Sequence, residues 1–264
     1  VEEEGWGDGW DLLTMPSRKL TTLTKEVAAR QLSLLVVTET RQHEHEMQAT
    51  AGQVMRLAKC EHAGLPGKVT DASGHTVWGV SMVWDPQRLR AVGSMTEIVP
   101  HRIIRGTFAV VGDKGETEIT VYGVYMPQRT GMDEEVSKAY DAMIADAQSQ
   151  RDVWVIGDMN AETRGMVEGR VGRDGKRGVM TEADKRFGEL GYTMGVRVTG
   201  RGRPTHRSGT EIDHIMPCAR HSASTSDVRI APGLCGRDHM LVWARYSYVV
   251  DQEGCGPPRV VGPN

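Results

Sequence analysis

Short, dense apolar runs that stop abruptly at acidic residues constrain this chain more than any other feature. Val153-Trp-Val-Ile runs into Gly157 and Asp158, with Asn160 two residues further on. Leu32 to Thr38 is similarly apolar and ends at Glu39. Runs this short and this continuous predict strands buried on both faces. Such strands need a layer above and a layer below them. Side chains two apart share a face, so Asp158 and Asn160 leave the sheet on the same side. That rim is where open α/β sheets place their chemistry.

The remaining pattern completes the layers. Thr76–Trp84, Ile103–Val111, Glu118–Tyr125, Glu211–Pro217 and Met240–Tyr248 read as further strands. Trp78, Trp84 and Trp154 fall within strand patterns and read as core. Ser17–Arg30, Met47–Cys60, Met132–Ser149 and Thr181–Leu190 read as helices, the last with Thr181 as its cap. Gly165–Gly178 is glycine-rich and basic, hence a loop. There is no strict βαβ alternation, so the expected class is α/β with stacked mixed sheets flanked by helices. Residues 1–9 form an acidic, glycine-rich edge, 10–248 the domain, and 249–264 a Gly/Pro-rich tail or linker.

Composition narrows the function. Of 264 residues, 39% are hydrophobic and 25% charged, as in an ordinary globular domain. No apolar run approaches the roughly 20 residues of a membrane span. The acidic start is unlike a leader peptide. Four cysteines without a CxxC pair suit a reduced, intracellular setting. A net charge of -3 gives no global attraction to nucleic acid. Basic residues nevertheless cluster in two stretches, 164–177 and 197–207. Within them Arg164, Arg173, Arg201, Arg203 and Arg207 are the candidate phosphate contacts.

Four strand ends carry polar groups that a core strand would not tolerate: Glu39; Asp158 with Asn160; Asp213 with His214; and Asp238 with His239. Together they predict an acidic cluster with a histidine at one rim. A hard divalent cation suits such a cluster, because Mg²⁺ takes one or two carboxylates and keeps waters for a phosphate substrate. Glu39 and Asp238 are the candidate ligands. Asp213 is suited to holding the His239 imidazole in one tautomer, and Asp158 to orienting or deprotonating water. By contrast, Gln42-His-Glu-His-Glu46 reads as a solvated charge run. Gly169–Lys176 fails the phosphate-loop spacing.

These residues also carry a resemblance. Glu39 in Thr-Glu-Thr-Arg, Tyr125 in Val124-Tyr-Met-Pro127, Gly157-Asp-Met-Asn160, Ile212-Asp-His-Ile215 and Arg237-Asp-His239 occur in the order of the endonuclease/exonuclease/phosphatase superfamily. Its members have a deoxyribonuclease-I-like fold. Val171–Gly178 followed by Pro204-Thr-His is similar to LINE-type retrotransposon endonucleases and craniofacial-development-type proteins. The resemblance implies a four-layer α/β sandwich and a Mg²⁺-dependent phosphodiesterase, with Mn²⁺ as a substitute. DNA is the implied partner, with a nuclear location and a linked reverse transcriptase. It implies metal binding by Glu39 and a phosphate contact by Tyr125. It also aligns Asp11 with a family asparagine that ligates the metal, after an opening strand that is nearly absent here. Arg237 stands where the family usually has serine. Two alternatives remain: a phosphatase of small phosphorylated ligands, and a catalytically silent nucleic-acid-binding module.

Overall fold

The computed structural model describes residues 9–16, 33–70, 72, 74–112, 115–128, 131–163, 168–169, 178–198, 202–219, 239 and 242–247; over 9–16, 111–112, 115 and 243–247 it describes backbone alone. Among these residues the strands are β1 Gly9–Pro16, β2 Leu34–Thr38, β3 Glu61–Leu65, β4 Lys68–Val69, β5 Thr76–Val77, β6 Val80–Trp84 and β7 Leu89–Ala91. They continue with β8 Thr96–Val99, β9 Ile103–Gly112, β10 Gly115–Tyr125, β11 Val153–Asp158, β12 Asp213–Met216 and β13 Val242–Ser247. The helices are α1 Glu44–Ala58, α2 Asp133–Ala147 and α3 Glu182–Thr193. The helix expected at Ser17–Arg30, most of the Gly165–Gly178 loop and the tail lie outside the described residues.

Two mixed sheets form. One has the order β13-β1-β2-β6-β3, with β1 and β2 parallel. The other has the order β12-β11-β10-β9-β7, with β8 also on β9 and with β10 and β11 parallel. They stack face to face through Leu34, Val36, Val80, Met82, Ile104, Phe108, Val121, Trp154 and Ile156. The alternate residues of the second sheet, Tyr122, Val124, Val153 and Val155, pack under α2 and α3 through Tyr140, Met143, Phe187 and Leu190. On the other side α1 lies against β3. This makes a four-layer α/β sandwich. It explains the unbroken apolar runs, since each face of a central strand meets a layer. Arg105 of β9 pins α2 by two contacts with Asp146 at 2.6 and 2.7 Å, and the Tyr122 hydroxyl donates to the same carboxylate at 2.5 Å. The helix at 181–193 starts as expected: the Thr181 side chain accepts from the Asp184 N–H.

Two expectations change. Thr76–Trp84 is not one strand, because Trp78 and Gly79 adopt φ of 67° and 96° and separate β5 from β6. The kink points two carbonyls at the segment after β2: Thr40 N–H donates to Gly79 and Arg41 N–H to Trp78. Trp78 is therefore half-buried beside the core, whereas Trp84 and Trp154 are buried within it. The second change concerns the opening strand, which is fully present. It contains Asp11 near its start and runs on to Pro16, rather than ending at Asp11.

Candidate active site

Strand register sets the site. Tyr125 at the end of β10 is level with Asp158 at the end of β11, and Asp158 is level with Asp213 at the start of β12. From the other sheet, Glu39 follows β2 and His239 precedes β13. The parallel pairs β1/β2 and β10/β11 carry their C-terminal ends to the rim, which makes chain ends a repeated source of functional groups there.

Asp158 and Asp213 are fully buried, and one ligand atom each from Asp158, Asp213 and His239 lies within 4.8 Å of the others. Asp213 Oδ2 stands 3.1 Å from His239 Nδ1. Burial opposes a charge on His239. The hydrogen bond and charge of Asp213, with the charges of Asp158 and Glu39, outweigh it and push the imidazole up to about 9. Burial first, then repulsion from Asp213, pushes the Asp158 carboxyl well above its ordinary range; His239 and the Asn160 N–H pull it back only in part. Neighbouring side chains on a strand face opposite ways. His214 accordingly points away from Asp213, to the Ala161 and Glu211 carbonyls and the Phe187 ring.

Glu39 sits at φ 52°. Tyr125 donates its hydroxyl to Glu39 Oε1 at 2.6 Å, and Arg41 donates to Oε2 at 2.8 Å. Burial, then the charges of Glu39 and Asp158, hold the Tyr125 hydroxyl protonated, so it stays a donor. Beneath it lies Arg102, buried, its guanidinium 3.7 Å from the Trp78 ring centre and 5.5 Å from that of Tyr125. Asn160, at φ 47°, donates its backbone N–H to Asp158 Oδ1 at 2.8 Å and its amide to the Met126 carbonyl at 2.9 Å. The amide therefore ties the segment after β10 to the segment after β11.

Asp11 does not join the cluster. It pairs with Arg245 near the start of β1, while Pro16 at the other end is level with Thr38. At about 3.3 Å per residue, the five steps from Asp11 to Pro16 carry it roughly 16 Å from the rim. This corrects the reading of Asp11 as a metal ligand. The residue that does reach the rim, Pro16, has no ligand atom in its side chain. Asp238, Arg164, Arg173 and Arg201 lie outside the described residues. Arg203 and Arg207 are exposed on a turn beside the site.

The donors present suit a hard divalent cation. Among the described residues Asp213 Oδ1 is buried without a hydrogen-bond partner, and oxygen ligands of this kind are what Mg²⁺ or Mn²⁺ takes. Glu39 and Asp213 are the described carboxylates that would hold it.

Sequence reasoning missed several members. Thr205 is fully buried, and its hydroxyl accepts from both the Ile212 and Asp213 N–H at 3.0 Å. His206 faces His239. Arg102 is buried beneath Tyr125 and was not singled out at all. Thr205 and His206 were visible only as part of Pro204-Thr-His206, and no spacing rule points to Arg102.

No family model matches the chain, and no curated protein matches it. Solved structures do. An AP endonuclease, LMAP from Leishmania major, covers 94% of this chain and 91% of its own at 13% identity and a TM-score of 0.68. The 3' phosphatase NExo (D146N) from Neisseria, bound to product DNA hairpin, covers 90% and 100% at 17% identity and a TM-score of 0.66. The endonuclease domain of TRAS1, a telomere-specific non-LTR retrotransposon, covers 91% and 99% at 15% identity and a TM-score of 0.52. With these likenesses and the stacked sheets above, the chain has the deoxyribonuclease-I-like fold.

Proposed function

We propose that the protein is a divalent-metal-dependent phosphodiesterase that nicks DNA. The observation that carries this reading is the Asp158–Asp213–His239 cluster, buried at the rim and facing Glu39 and Tyr125. Imidazolium His239, oriented by Asp213, donates to a non-bridging phosphoryl oxygen as charge develops there. Asp158, made more basic by burial and by Asp213, takes the proton of the attacking water. Asn160 keeps the segments after β10 and β11 in register, and Tyr125 donates towards the phosphate or Glu39. A bound Mg²⁺ or Mn²⁺ would neutralise charge on the phosphoryl group and the leaving oxygen. The exposed Arg203 and Arg207, with Arg164, Arg173 and Arg201, would contact the flanking phosphates.

Supercoiled plasmid in Mg²⁺ tests this reading. The expected outcome is open-circle product from the wild type, and a fall of about 100-fold or more for His239→Ala and for Glu39→Gln. Equal nicking by His239→Ala would remove His239 from the mechanism. A competing reading, removal of terminal phosphates, is supported by the phosphatase among the similar folds. Faster release of phosphate from a 3'-phosphorylated oligonucleotide than nicking of plasmid would favour it. The retrotransposon-type assignment rests on the sequence layout and the likeness to TRAS1. A reverse transcriptase in the same gene product is its test.

A further inference from the structure

A single hydrogen bond fixes one atom of a ring but not the plane of the ring. The bond from His239 Nδ1 to Asp213 leaves the imidazole free to pivot, and a donor to a phosphoryl oxygen has to be aimed within about 10–20°. A second constraint comes from His206. Its backbone forms an antiparallel bridge with His239, and its ring meets that of His239 edge to face, with centres 4.7 Å apart and planes at 71°. That is a favoured aromatic geometry.

The buttress is itself fixed. Ser208 N–H donates to His206 Nδ1 at 3.2 Å, and the Ser208 hydroxyl lies 2.7 Å from the same nitrogen and 2.8 Å from Thr210 Oγ1. Thr205 and His206 both donate their N–H to the Thr210 carbonyl, and Gly209, at φ 85°, closes the turn by donating to the His206 carbonyl. One residue earlier, Thr205 accepts from the backbone of Asp213. The turn at 205–210 therefore holds both partners of the pair, Asp213 through Thr205 and His239 through His206.

We propose that His206 is a positioning residue for His239: its ring holds the imidazole in the plane that runs from Asp213 towards the substrate phosphate. The proposal rests on the phosphodiesterase reading above. It requires the ring of His206, not its hydrogen bond to Ser208, and two substitutions separate these. His206→Phe keeps a ring and loses the acceptor. His206→Asn keeps an acceptor and loses the ring.

Two readouts apply to both variants, with the urea midpoint as a check on folding. In the metal-free protein, proton NMR follows the hydrogen-bonded Nδ1–H signal of His239. In Mg²⁺, nicking kinetics separate kcat from KM. The expected result is that His206→Asn broadens or loses the Nδ1–H signal and lowers kcat about tenfold, with KM nearly unchanged. His206→Phe keeps the signal and stays within about threefold of wild-type kcat. The proposal is overturned if folded His206→Phe behaves like His206→Asn, or if His206→Asn retains both the signal and kcat. If the wild type cleaves no phosphoester at all, the functional reading fails, and the NMR comparison still decides the packing role.

Discussion

At His239 the balance of influences sets a pH dependence with a defined sign. The folded protein holds the imidazole at about 9 against an ordinary 6.5, through Asp213, Asp158 and Glu39 acting against burial. A raised pKa stabilises the protonated fold. The contribution is complete below pH 6.5 and is lost as pH rises through about 9. A displacement of this size corresponds to on the order of 3 kcal/mol. Asp158, also raised, loses its contribution with rising pH in the same sense. Urea unfolding of metal-free wild type and His239→Gln should therefore give a stability difference that shrinks between pH 6.5 and about 9. A difference that stays constant over that window would dismiss the ion pair. The sequence showed which residue types stand at the rim, because each lies at one end of an apolar run or interrupts it. It did not show what they bond to. Arg41 on Glu39 and the Asn160 amide on the Met126 carbonyl depend on left-handed backbone at Glu39, Arg41 and Asn160, and nothing in those residue types demands it.

Among the elements, the central strands were legible and the edges were not. β2 and β11 are buried on both faces, so their apolar character is continuous, and β10 is likewise buried from Ile119 onward. β3, β7 and β8 are short and partly exposed, and carry residues such as Glu61, Arg90 and Glu97 whose place is set by pairing with β6 and β9. β1 was misplaced because Asp11 resembles a strand-end ligand, whereas pairing with β13 continues to Thr14 and with β2 to Pro16. Gly157 shows how closely β11 is fitted to its neighbour. Its φ is 145°, and a Cβ there would collide with the Val124 backbone carbonyl. Gly157→Ala should cost roughly 2–4 kcal/mol in urea unfolding; near wild-type stability would mean that β10 and β11 can part. Thr205→Val should cost about 2–4 kcal/mol, because two buried N–H groups lose their acceptor. Thr205→Ser should recover most of that, and equal loss in both variants would point to the methyl group instead of the hydroxyl.

For the molecule as a whole, a cation held by these carboxylates would link binding to folding, since Asp158 and Asp213 are buried close together only in the folded chain. Mg²⁺ at about 100 times its Kd should raise the unfolding free energy by roughly 2.7 kcal/mol, and a chelator should remove both this increment and the nicking. Glu39→Gln should reduce the increment. No shift at millimolar Mg²⁺ or Mn²⁺ would favour a silent binding module. The two sheets would also constrain the proposed turnover. Glu39 is carried by one sheet and Tyr125 by the other, so the 2.6 Å bond between them works as a caliper on the gap between the layers. Gly123 lies in that gap; a Cβ there would come within 2.9 Å of Met82 and 3.3 Å of Val36. Gly123→Ala would wedge the layers apart by tenths of an ångström, a strain that a well-packed core absorbs at modest cost. The rim would register it as slower catalysis while the urea midpoint had barely moved. The proposed activity would thus be a gauge of how tightly the interior closes.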